Sequence, residues 1–268
     1  MTDTASQATT PPAEAEHRPL VPFFVLVSVS AIPFWVAAAM VDITDRTPIG
    51  LPLSALMFVC PVIAAGILTY RQGGRPELVR LLKRAVDYSS ERRGSYLFAM
   101  VATPTIALMS YGVAWLMGLV HFSGWPTPLA AVPVLFLAFL LAAAFEELGW
   151  TGYATDPLRR RFGALGAGLI LGAFWGAWHL LPLIQAHHGP LWIVSWFVGT
   201  IALRTIVVWL YHKSGKSVLT ATLMHAMANV CAAAIPDYTM THSLLISGVL
   251  TAIVASAVTL RAQPRRRG

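Results

Sequence analysis

The stretch "AAAFEELGWTGY", residues 142–153, sets two adjacent carboxylates, Glu146 and Glu147, at the end of the apolar run "VPVLFLAFLL", residues 132–141. A run of about 20 apolar residues crosses a bilayer as a helix. An ionisable group at that depth costs several kcal/mol unless it faces a partner or a water-filled cavity. The stretch therefore points two ways at once: this chain is built in the membrane, and these glutamates are either a functional pair or a hydrated, idle pair at the interface.

Composition agrees. Of 268 residues, 56% are hydrophobic and 12% charged, against about 25% charged in soluble domains. Eight apolar windows can be drawn, at 20–41, 50–70, 95–119, 127–150, 163–184, 190–211, 217–235 and 242–260. The expected fold is all-α, a polytopic membrane bundle of about eight transmembrane helices. Residues 1–19, rich in Thr, Ala and Pro and lacking a basic n-region, read as a disordered tail and not as a signal peptide. Residues 20–260 read as one transmembrane domain with its core at about 125–236, and 261–268 as a basic tail. Cys60 and Cys231 both lie in apolar runs, so neither a disulfide framework nor a cysteine zinc site is expected.

Charge orients the spans. Arg71, Arg75, Arg80, Lys83, Arg84, Arg92 and Arg93 fall between the second and third windows, Arg159, Arg160 and Arg161 after the fourth, and Lys213 and Lys216 after the sixth. Arg18 precedes the first window, and Arg261, Arg265, Arg266 and Arg267 follow the last. The alternate connections, "DITDRTP", "HFSGWPT", "QAHHGP" and "PDYTMTH", hold one, Arg46. The positive-inside rule puts the basic connections and both termini in the cytoplasm. Topology and anionic lipid account for the net charge of +7, so no nucleic-acid partner is implied. In the segment 71–94, Leu78, Leu81 and Leu82 read as the lipid-facing side of a surface helix.

The same test picks out His179 in "AFWGAWHLLPL", Arg204 in "IALRTIVVW", and His225 and Asn229 in "TLMHAMANV". Four residues apart, His225 and Asn229 share a helix face. Gly168, Gly172 and Gly176 form a small-residue stripe beside His179, suited to close helix packing. A carboxylate in a low-dielectric site can take a proton from water, a histidine can orient that water, and a second histidine and an amide can donate to an oxyanion. That set suffices for amide hydrolysis without a Ser or Cys nucleophile. The same Glu146, His179 and His225 could instead ligate zinc. Interhelical hydrogen bonding without catalysis, or a proton relay in a transporter, would use similar residues.

As a set, "EELGWTGY", "WGAWHLLP" and "HAMAN" resemble the three motifs of the CPBP intramembrane proteases, which include type II CAAX prenyl endopeptidases and bacterial abortive-infection proteins. The resemblance spans roughly 125–236. It implies Glu146 as catalytic base, Glu147 as its supporting glutamate, His179 as assistant, and His225 and Asn229 as the oxyanion hole. It also implies an active-site cavity open toward the cytoplasm, a peptide or membrane-protein substrate cut near that face, and a multi-pass location in a bacterial cell membrane. No cofactor is required in the glutamate-water mechanism, and zinc is the alternative. Thr151 stands where the family pattern has Arg, so the missing cation must come from elsewhere, with Arg204 or Arg159–Arg161 as candidates; failing that, the protein is a non-catalytic immunity or scaffold protein of the same fold. Depth poses a second problem. If the fourth window ends near residue 150, Glu146 lies roughly 10 Å from the basic side, while His179 lies about 24 Å along the fifth.

Overall fold

The computed structural model describes residues 18–47, 50–122 and 124–262. Residues 1–17 of the expected tail and 263–268 of the basic terminus lie outside them. Among the described residues the chain is helical throughout: α1 (Leu20–Met40), α2 (Cys60–Lys83), α3 (Arg93–Leu116), α4 (Val132–Gly149), α5 (Asp156–Trp178), α6 (Leu180–Gln185), α7 (Pro190–Lys213), α8 (Val218–Ala234) and α9 (Thr241–Ala262). Helices satisfy their own backbone groups, which is what a hydrocarbon solvent demands. Proline at the start of α7 gives up an N–H that has no intrahelical partner there.

Six apolar stretches are long enough to cross a membrane, and α8 is a shorter one. One of the six, Leu129–Gln185, has 57 residues, which as a straight helix would measure about 85 Å, almost three times a bilayer's apolar thickness. Gly163 breaks it. Its φ of 71° lies in the left-handed region, which glycine enters without steric cost. The chain reverses there, so the described residues hold eight apolar helical passes, and the protein is a multi-pass membrane bundle.

The reversal point answers the depth problem. α4 does not stop near residue 150: it continues through a π-helical segment, Trp150–Thr155, into the first turns of α5. The span boundary expected at 150 therefore moves to about 162. Glu146 then lies seventeen residues before Gly163 and His179 sixteen after it, or about 25 Å from the turn in both cases. The two side chains share one depth.

Helix contacts hold that register. α5 packs closely on α7 along the expected glycine stripe. A Cβ at Gly168 would lie 2.8 Å from the Thr205 Cα, one at Gly172 2.8 Å from the Ile201 Cα, and one at Gly176 2.7 Å from the Phe197 ring. The first two contacts are with backbone, which cannot swing aside. On α1, Phe23, Val27 and Ala31 recur every fourth residue and are buried in the core, while Val21, Val25, Val29 and Val36 are exposed on the lipid side. In the segment after α2's Gly73–Gly74 kink, Leu82 is exposed as expected, but Leu81 is 2% exposed and joins the core. That segment is tied to the bundle and does not float on lipid.

Gly172→Ala should lower the thermal stability of the detergent-solubilised protein by about 1–3 kcal/mol, the usual cost of overpacking. Gly112→Ala, where an added Cβ meets nothing within 4 Å, should leave it unchanged or slightly raised.

Candidate active site

Adjacent residues on a helix point about 100° apart, so Glu146 and Glu147 diverge into different surroundings. Glu146 faces a cavity of about 1260 Å³ whose walls also carry His179, His225 and Asn229. Four of the five residues that the sequence grouped as a site, Glu146, His179, His225 and Asn229, therefore line one space. Glu146 Oε2 accepts two indole hydrogen bonds, from Trp150 Nε1 at 3.1 Å and Trp175 Nε1 at 2.8 Å. Both donors sit at helical spacing from site residues, Trp150 four after Glu146 and Trp175 four before His179.

Glu147 is 0% exposed and turns away from the cavity toward α7 and α8. Its Oε2 accepts from Arg204 Nη1 at 2.8 Å and from Thr151 Oγ1 at 2.5 Å. Its Oε1 accepts from His225 Nδ1 at 2.9 Å. Two elements, α7 and α8, thus converge on one carboxylate, and its charge is met by a guanidinium that is itself 1% exposed. This resolves the Thr151 question. The hydroxyl at the family's arginine position still reaches the glutamate one turn back, and the cation arrives from Arg204 on a different helix. The cluster Arg159–Arg161 has no part in it.

Trp175 is the centre of the arrangement. Its indole binds Glu146, and its ring lies edge-on to His179 at 5.3 Å and to His225 at 5.0 Å. The Arg204 guanidinium carbon lies 4.3 Å from its ring centroid, a cation–π contact in a desolvated setting. His179 occupies the junction between α5 and α6 and is only partly buried. Its Nδ1 is 2.8 Å from the Trp175 carbonyl oxygen. A carbonyl can only accept, so Nδ1 carries the proton and Nε2 presents a lone pair. For His225, Nδ1 is likewise the donor, here to a carboxylate, and Nε2 is left free.

Among the described residues no three His, Cys, Asp or Glu side chains are gathered as ligands would be. Glu146 Oε2 is occupied by two N–H donors and His225 Nδ1 by Glu147. Cys60 and Cys231 are free and buried.

The cavity runs from these groups to the connections between helices. Asp45, Gly50, Thr127, His187, Asp237 and Met240 line its far end. Those belong to the four connections poor in Lys and Arg. No lining residue comes from 71–93, 156–162 or 212–217, so the expectation of a cavity open toward the basic face meets the opposite geometry.

Removing Arg204 leaves a buried carboxylate short of its cation, a change that costs about 3–5 kcal/mol. Arg204→Met should lower the detergent melting temperature accordingly, and adding Glu147→Gln should recover part of the loss. If the double variant melts below the single one, the ion pair is not what Arg204 supplies.

Comparison with known proteins agrees with the motif reading. The family model described as type II CAAX prenyl endopeptidase Rce1-like matches residues 127–231. A curated relative, CAAX prenyl protease 2 of Methanococcus maripaludis, is 34% identical over 136 residues, covering 47% of this chain and 49% of that protein. This chain therefore spans about half the length of the curated relative that it matches. The matched segment holds Glu146, Glu147, His179, His225 and Asn229, and over it the chain is similar to the Rce1-like family.

Proposed function

We propose that this protein is an intramembrane endopeptidase that hydrolyses a peptide bond with a water activated by Glu146. The observation that supports it most is the sharing of Trp175 by Glu146, His179 and His225 on the wall of one cavity. Similarity to the Rce1-like family over residues 127–231 points the same way. In the proposed cycle, the Glu146 carboxylate takes a proton from water while His179 Nε2 accepts the water's other hydrogen as a hydrogen bond and orients it. The hydroxide adds to the scissile carbonyl carbon, and the C–O bond forms as the carbonyl π electrons move to oxygen. His225, protonated at Nε2 and supported through Nδ1 by Glu147, donates to that oxyanion together with the Asn229 amide. The tetrahedral species collapses, the C–N bond breaks, and Glu146 returns its proton to the leaving amine.

The indole donors give Glu146 Oε2 a fixed position, which leaves Oε1 for the water. Glu147 touches no reacting atom in this scheme: it is a positioning residue, and Arg204 and Thr151 hold it. A substrate entering an apolar-walled cavity of this size is a peptide or a membrane-protein segment, and the location proposed is a bacterial cell membrane. The cycle uses no metal.

Turnover of a fluorogenic peptide library by purified protein tests this reading. Glu146→Gln and His179→Ala should each reduce kcat by about 100- to 10,000-fold, the usual contribution of a general base; wild-type rates in both would sink the assignment. Trp175→Phe keeps the ring but deletes the N–H donor. Losing one hydrogen bond to a charged acceptor, about 1.5–3 kcal/mol, should slow turnover about 10- to 100-fold with little change in melting temperature.

A further inference from the structure

The connection after α2 takes no part in the proposed chemistry, yet it reaches all three elements that converge on Glu147. Arg84 opens it, at the start of the short turn Arg84–Val86. Its Nη1 donates to the Gly152 carbonyl oxygen at 2.5 Å, and its Nη2 donates to the Tyr211 hydroxyl at 2.6 Å and to the Lys216 carbonyl oxygen at 3.4 Å. Each acceptor belongs with an element that delivers one donor to Glu147. Gly152 follows Thr151 in the π-helical segment. Tyr211 lies seven residues beyond Arg204 on α7, two turns along the same face, and Lys216 stands two residues before α8, which carries His225. A planar guanidinium presents its donors in a rigid fork, so one side chain can hold these acceptors in a single geometry.

The junction around Arg84 is fixed from other directions as well. Asp87 Oδ1 accepts from Ser217 Oγ at 2.9 Å and from the Leu219 N–H at 3.2 Å, so it satisfies a donor in the first turn of α8. The Tyr211 hydroxyl donates to Asp156 Oδ2 at 3.2 Å, an oxygen that also takes Lys216 Nζ at 3.1 Å. Arg18 Nη1 donates to the same Gly152 carbonyl at 2.7 Å. A Cβ on Gly152 would lie 3.3 Å from Leu81 Cδ1 and 3.6 Å from Val218 Cγ2, so the end of α2, the start of α8 and the π-helical segment meet at that residue. A π-helical turn takes its backbone hydrogen bonds out of α-helical register. The two residues just before the clamped carbonyl, Trp150 and Thr151, are those whose side chains donate to Glu146 and Glu147.

We infer that Arg84 is a positioning residue: it clamps the π-helical segment, α7 and α8 to one another at one end, and so sets how Thr151, Arg204 and His225 meet around Glu147. Through His225 the clamp also places an oxyanion donor of the proposed cycle. Arg84 touches no reacting atom, and it lies outside the segment 127–231 that the family model matches. The effect on turnover rests on the proposed hydrolysis; the clamp itself does not.

Hydrogen–deuterium exchange of the full-length protein in detergent tests the clamp without reference to activity, with α9 as internal reference. In Arg84→Met, segments 146–156 and 218–229 should both exchange about ten times faster while α9 is unchanged, the mark of local opening as opposed to global destabilisation. Turnover of the fluorogenic peptides, measured well below each variant's melting temperature, should show kcat lower by about 10- to 100-fold and KM within about 2-fold of wild type, the pattern of a small misplacement at the site. Arg80→Met, which removes an exposed partner of Glu77 on α2, should match wild type in both measurements. If Arg84→Met does not fold, Tyr211→Phe, which deletes one hydroxyl and keeps the buried ring, should give the same pattern with changes of about 3- to 10-fold. Unchanged exchange in either segment overturns the inference, as does a uniform rise that includes α9, or a wild-type kcat. If the wild-type protein cleaves no peptide while the exchange pattern holds, the hydrolase reading has failed and the clamp has not.

Discussion

One buried charge organises this protein. Glu147 has no exposed surface, and a bare carboxylate in a hydrocarbon environment is not tolerated. The fold answers by bringing Arg204 from α7 and His225 from α8 onto its two oxygens, with Thr151 adding a third donor. Three spans cannot separate without exposing a charge to lipid. The catalytic histidine of the proposed mechanism is positioned by the same contact that holds the bundle, so stability and the oxyanion site depend on a shared interaction.

Neighbouring Glu146 has a different environment because it sits about 100° further around the helix. It is met by two indole N–H groups and no cation. In the proposed cycle the contrast gives the two acids unequal work: the paired one positions, and the one held by neutral donors on the cavity wall takes the proton from water. Trp175 joins the halves, with its N–H on Glu146 and its face under Arg204. That contact reaches across the α5–α7 interface, where glycine at 168, 172 and 176 lets the backbones approach. A small-residue stripe and a catalytic geometry are thus two ends of one packing solution.

The fold was legible because hydropathy and loop charge are local properties. Eight apolar windows, the membrane class and the alternation of basic connections can all be counted along the chain. The candidate residues were legible too, since Glu146, Glu147, His179, His225 and Asn229 are polar groups that lipid would reject, and their motif spacing resembles one family. Trp150 and Thr151 could have been found by the four-residue rule of helix faces, applied from the two glutamates. Trp175 was harder: an aromatic in a membrane helix is ordinary, and only its neighbours make its N–H consequential.

Sequence by itself determined that this chain lives in the bilayer, which connections are basic, and which residues are too polar to be idle there. Tertiary structure decided which glutamate meets the cation, since Arg204 lies 57 residues from Glu147 and no spacing rule connects them. It also decided that Glu146 and His179 share one depth, because the turn between their spans falls at Gly163 and not near residue 150. Last, it decided toward which set of loops the cavity runs. The physical reason is common to all three: local pattern reports what each segment needs to bury or expose, but the partner that satisfies the need comes from a distant segment, and only packing chooses it.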